Sequence, residues 1–75
     1  MQEQKVVTIN TPYIELDKLL KREDLAASGG EARWYISEGL VLVNGDVEMR
    51  KRKKIYPGDT VVFENTVLVV KEKGL

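Results

Sequence analysis

The hydrophobic pattern of this chain changes from helical to extended at Gly39, and that change constrains the fold more than any other feature. Before it, Leu16, Leu19 and Leu20 recur at i, i+3, i+4, and Ala32, Tyr35 and Ile36 share one face with Arg33, Trp34 and Ser37 on the other side. Both sets have the spacing of amphipathic helices. After Gly39 the apolar residues cluster in short extended runs, Leu40 to Val43, Val47 to Met49, Thr60 to Phe63 and Val67 to Lys71, and Lys5 to Ile9 is a further β segment at the start. The order βααββββ predicts an α+β domain with two short helices packed on a small, mostly antiparallel sheet.

Turn chemistry supplies the boundaries. Asn10-Thr11-Pro12 ends the first strand, and Ser28 with Glu31 makes a capping box for the second helix, which Gly39 stops. Asn44-Gly45 marks a hairpin, because a type I′ turn needs positive φ at both central residues. Pro57-Gly58-Asp59 and Glu64-Asn65 form the remaining breaks. Two helices so closely joined suggest a helix-turn-helix-like pair.

At 75 residues the chain is expected to form one domain, 1–75, whose stability comes from aliphatic packing, since it contains neither cysteine nor histidine. Those absences remove thiolate and imidazole catalysis and the usual zinc ligands, and no cofactor or metal is implied. No paired acid/base constellation is present, with Asp17, Asp59 and the glutamates read as helix surface, turn and solubilising groups, so an enzyme is not expected. Apolar stretches far shorter than the roughly 20 residues of a membrane span, and the cysteine-free composition, suit a cytoplasmic protein without a membrane partner.

Twelve basic residues balance twelve acidic ones, but the charge is segregated. Arg50, Lys51, Arg52, Lys53 and Lys54 are consecutive, leaving a net charge of −5 on the rest of the chain. Such a run can neutralise phosphates, with release of condensed counterions. Read alone, it is equally a solvated loop.

From Leu16 onward the motifs together resemble the RNA-binding domain family named after small-subunit ribosomal protein S-four, also called the alpha-L motif. The resemblance covers about residues 14–63: Leu16-Asp17 with Leu19-Leu20, then Ser28, Glu31-Ala32, Tyr35-Ile36, Gly39, Val41, Val43-Asn44-Gly45, Val47, and Pro57-Gly58-Asp59 before Val61. It implies that the two helices and the loop after the hairpin form a surface for structured RNA, ribosomal or transfer RNA above all, in ribosome assembly or RNA handling. Gly29-Gly30 follow Ser28 where many members have an arginine, and Glu15 stands where many have another.

The expected RNA-binding residues are therefore Arg50, Lys51, Arg52, Lys53 and Lys54 on the loop, with Lys18, Lys21, Arg22 and Arg33 as a second wall. Gly29 and Gly30 join them, as small residues at a helix N-terminus that favours an anion. A tight turn is the plainer reading of that pair. Trp34 has two readings, a stacking surface for an unpaired base or a core residue, with the core favoured; Tyr13, Tyr56 and Phe63 are assigned to the core. A monomer gripping RNA by shape and backbone charge, alone or on a ribosomal particle, is the leading expectation. The alternative is a protein-interaction module whose basic loop docks an acidic partner.

Overall fold

Residues 2–74 are described by the computed structural model, as two helices packed on a mostly antiparallel sheet. Strand β1 spans Glu3–Ile9, and helices α1 (Leu16–Arg22) and α2 (Gly29–Ser37) follow after a two-residue strand, β2 (Ile14–Glu15). The second half contains β3 (Val41–Val43), β4 (Asp46–Val47), β5 (Lys54–Ile55), β6 (Thr60–Phe63) and β7 (Thr66–Glu72). Five strands form one sheet in the order β1-β7-β6-β3-β4, while β2 and β5 pair separately.

Three aspects of the strand expectations change. The pairing of β1 with β7 is parallel, with Val6 opposite Val69, so the first and last strands lie side by side. Period-2 patterns specify that a strand has an inner face but not which neighbour it takes. The hairpin's second arm is Asp46–Val47 rather than Val47 to Met49, opposite Val43 and Leu42. Strands β2 and β5 were not expected, and β5 draws Lys54, the last cation of the basic run, into an antiparallel pair with Glu15.

The helices begin and end by local chemistry. Ser28 caps α2 by accepting the Glu31 N–H at 3.1 Å, and the Glu31 carboxylate accepts from the Ala27 N–H at 3.2 Å. Gly39, at φ 75°, closes α2 with Gly39 N–H to Ile36 and Leu40 N–H to Tyr35, a Schellman pattern. Helix α1 ends in the same way with Asp24 at φ 61°, its N–H reaching Lys21 and that of Leu25 reaching Leu20. Asn44 and Gly45 both have positive φ, as the hairpin turn requires.

Leu16, Leu19 and Leu20 of α1, Ala32 and Ile36 of α2, and Val41, Val61, Phe63, Leu68 and Val70 of the sheet are buried in one cluster. Phe63 is core, as expected. Trp34, Tyr13 and Tyr56 are not: they are 55%, 37% and 46% exposed. Trp34 follows Arg33 on the outer side of α2, and the aliphatic residues close the core without it. Among the described residues no helix is long and apolar enough to cross a membrane.

Candidate nucleic-acid interface

The basic run is fastened to the first helix through its backbone. A helix leaves its first N–H groups without partners inside the helix, and in α1 the Glu15 side chain does not cap them. Instead, the Leu16 N–H donates to the Lys53 carbonyl at 2.9 Å and the Asp17 N–H to the Lys51 carbonyl at 3.1 Å. The Glu15 to Lys54 strand pairing continues the attachment. The loop's peptide groups thus face α1, and its backbone takes a fixed path over the helix end.

A depression of about 310 Å³ lies between the loop and the two helices, lined by Glu15, Asp17, Lys18, Lys21, Gly29, Arg33 and Arg52. Five of the residues singled out in the sequence meet there: Lys18, Lys21, Gly29, Arg33 and Arg52. A second depression is lined by Arg50, Arg52, Lys53, Lys54 and Tyr56. Arg52 belongs to both and makes the cationic surface continuous. Lys51, Gly30 and Arg22 line neither. Arg22 is directed to the end of β1, donating to the Thr8 carbonyl at 2.8 Å, and lies 3.6 Å from Glu23.

The cations differ in how free they are. Lys18 sits 2.9 Å from Glu15. That hydrogen bond holds the Glu15 carboxyl below the usual carboxylate range, helped by the nearby charges of Lys18, Arg52 and Lys54, and raises the Lys18 ammonium. Arg50 makes a two-pronged pair with Glu48, at 2.9 and 3.1 Å, while its N–H also donates to the same carboxylate. These contacts lower Glu48 and raise Arg50. Among the described residues, Lys21, Lys51, Arg52, Lys53 and Lys54 have no ion-pair partner. They hold the charge most readily available to a phosphate.

Asp17 was read as a surface residue, and the structure corrects this: it is 4% exposed. Its carboxylate accepts the Lys18 N–H at 2.8 Å and faces the Arg33 guanidinium at 3.3 Å. A buried carboxylate needs such partners, and here they tie α1 to α2 and aim Arg33 into the depression. Gly29 has a part in that placement, because a Cβ there would lie 3.1 Å from Arg33 Nη1. A Cβ at Gly30 would meet only Ser28 Oγ, at 3.8 Å. The two glycines are therefore not equivalent. The signal for Asp17 was an acidic residue at the edge of the apolar stripe of α1, directly after Leu16 and three residues before Leu20.

Tyr13 and Tyr56 border the cationic surface. Their ring centroids are 5.8 Å apart, and Lys54 Nζ lies 5.0 Å from the Tyr13 centroid. Trp34 packs its edge against Tyr35 and lines neither basic depression.

Comparison with known proteins gives concordant results. A family model described as "S4 domain" matches residues 7–71. The probable ribosome maturation protein RlbA of Bacillus subtilis is 43% identical over 58 residues, covering 77% of this chain and 82% of RlbA. The YbcJ protein of Escherichia coli K12 is 52% identical over 52 residues, covering 69% of this chain and 74% of YbcJ. The solution structure of Escherichia coli YbcJ, described as revealing an alfaL motif involved in RNA-binding, superposes with a TM-score of 0.70 at 40% identity, over 95% of this chain and 91% of that one.

Proposed function

The chain belongs to the S4 domain family, a non-enzymatic RNA-binding fold, and from that premise we propose that it binds folded ribosomal RNA during ribosome maturation in the cytoplasm. The observation that carries the reading is the docking of the basic loop on α1, which aligns Arg52, Lys53 and Lys54 with Lys18, Lys21 and Arg33 along one continuous cationic surface. The RNA partner is supported by the description of the YbcJ structure, and the ribosomal setting by the name of RlbA.

Cations on a preorganised backbone contact phosphates without reading bases. That suits helical RNA, whose deep, narrow major groove excludes side chains. Arg52, Lys53, Lys54 and Lys21 supply most of the affinity in this reading, and Arg33, held by Asp17, fixes orientation. Lys18 and Arg50 contribute less, since each is already engaged by a carboxylate. Arg22 and Gly30, placed outside both depressions, contribute least. The protein acts as a monomer.

Crosslinking in cells followed by sequencing of the bound RNA tests the assignment. Enrichment of ribosomal RNA at a confined set of positions, lost when Arg52, Lys53 and Lys54 are replaced by serine, is the expected result. Recovery of transfer RNA alone would redirect the proposal, and recovery of no RNA would reject it.

A further inference from the structure

Building on the RNA-binding reading, we propose that Tyr13 and Tyr56 form a stacking platform for an unpaired base, so that the preferred ligand is RNA in which a bulged or unpaired nucleotide adjoins a helical segment. The strand pairing sets up the platform. Ile14 lies opposite Ile55 in the β2–β5 ladder, so Tyr13 and Tyr56, one residue beyond on each strand, meet across the end of that ladder. Side chains alternate between the two faces of a strand. Ile55 is fully buried, and the two tyrosines stand on the outer side, with Tyr56 nearly half exposed.

The core leaves these rings in solvent, and the sequence surrounds them with charge. Tyr56 lines the depression formed by Arg50, Arg52, Lys53 and Lys54, and Lys54 Nζ sits over the Tyr13 ring. Tyr13 also lines a neighbouring hollow with Glu15 and Lys18. An aromatic face flanked by cations matches a nucleotide, with the base on the ring and its phosphates on the ammonium and guanidinium groups. A fully paired stem keeps its base faces stacked inside the helix, whereas an extruded base presents one. Trp34 is more exposed than either tyrosine but lacks the cationic border.

The experiment compares two hairpin RNAs that share one stem sequence, one fully paired and one carrying a single bulged fluorescent aminopurine. The wild-type chain should prefer the bulged hairpin and quench its fluorescence on binding. Tyr56→Leu should weaken binding of the bulged hairpin on the order of tenfold, abolish quenching and remove most of the preference for the bulged over the paired hairpin. Tyr56→Phe, which keeps the ring, should retain both preference and quenching, and Trp34→Leu should change neither. Equal affinity of the wild type for the two hairpins, or unchanged quenching in both Tyr56→Leu and Tyr13→Leu, would overturn the platform while leaving the RNA-binding reading intact. Failure of the wild type to bind either RNA would overturn both.

Discussion

Asn44 joins two turns that lie fifteen residues apart in the chain. Its amide donates to Asp59 Oδ1 at 3.0 Å and accepts the Thr60 N–H at 2.9 Å, while Asp59 Oδ2 accepts the Tyr56 N–H at 2.8 Å. The two ends of the segment carrying the basic loop are thereby clasped, so Asn44→Ala should lower unfolding free energy by about 1–2 kcal/mol in chemical denaturation. It should weaken RNA binding as well, through loss of the loop's geometry and without removal of any cation. A second single-residue effect concerns Glu15, which faces Lys18, Arg52 and Lys54 and holds negative charge inside the cationic surface. Glu15→Gln should raise RNA affinity by roughly fivefold in a filter-binding titration, because Lys18 is released for a phosphate and a like-charge repulsion is removed. The positions of Asn44 in a turn and of Asp17 in the first helix were legible in the sequence. Their partners were not, since each hydrogen bond or ion pair of Asn44 with Asp59, and of Asp17 with Arg33, spans fifteen or sixteen residues.

At the scale of elements, α1 and the loop complete one another. The helix offers two N–H groups that lack helical partners, and the carbonyls of Lys51 and Lys53 accept them. Local composition identified both pieces but could not join them, because the joining groups are backbone atoms that every residue carries. Helix ends show the same boundary between what is local and what is not. Ser28 and Gly39 were read directly from residue type. The Schellman turn at Asp24 was missed because aspartate there occupies a conformation more often given to glycine. Two glycine substitutions separate these effects in thermal melts. Gly39→Ala places a Cβ at φ 75° and should cost about 1–2 kcal/mol. Gly30→Ala makes only an ordinary contact with Ser28 Oγ at 3.8 Å and needs no positive φ, and should be neutral or stabilise by up to about 1 kcal/mol.

For the molecule as a whole, overall neutrality conceals a charge segregated along the chain. Under the proposed RNA-binding function, the net charge of −5 outside the basic run disfavours RNA on the other faces and leaves the loop and helix surface as the approach. With no histidine, the side chains offer no group that ordinarily titrates between about pH 5 and 8, so RNA affinity should stay level across that range. Stability should change outside it. Glu15, Glu31 and Glu48 are held below the ordinary glutamate value of about 4.3 by Lys18, Tyr35 and Arg50 respectively, so the stability they supply is present above that value and is lost as pH falls through their lowered ones. Tyr35 is raised by its hydrogen bond to Glu31; its contribution is present below the ordinary tyrosine value and is lost as pH rises through the raised one. Circular dichroism across acid and alkaline titrations reads both limits.

If the loop docked on α1 grips RNA by neutralising phosphates, RNA affinity must depend on salt. For the wild-type chain, log affinity plotted against log salt should fall with a slope of about −0.7 to −0.9 for each phosphate engaged. Replacing Arg52, Lys53 and Lys54 together by serine should make that slope shallower by about 2 in a variant that remains folded. A wild-type affinity indifferent to salt, or a serine variant with unchanged slope and affinity, would contradict that grip.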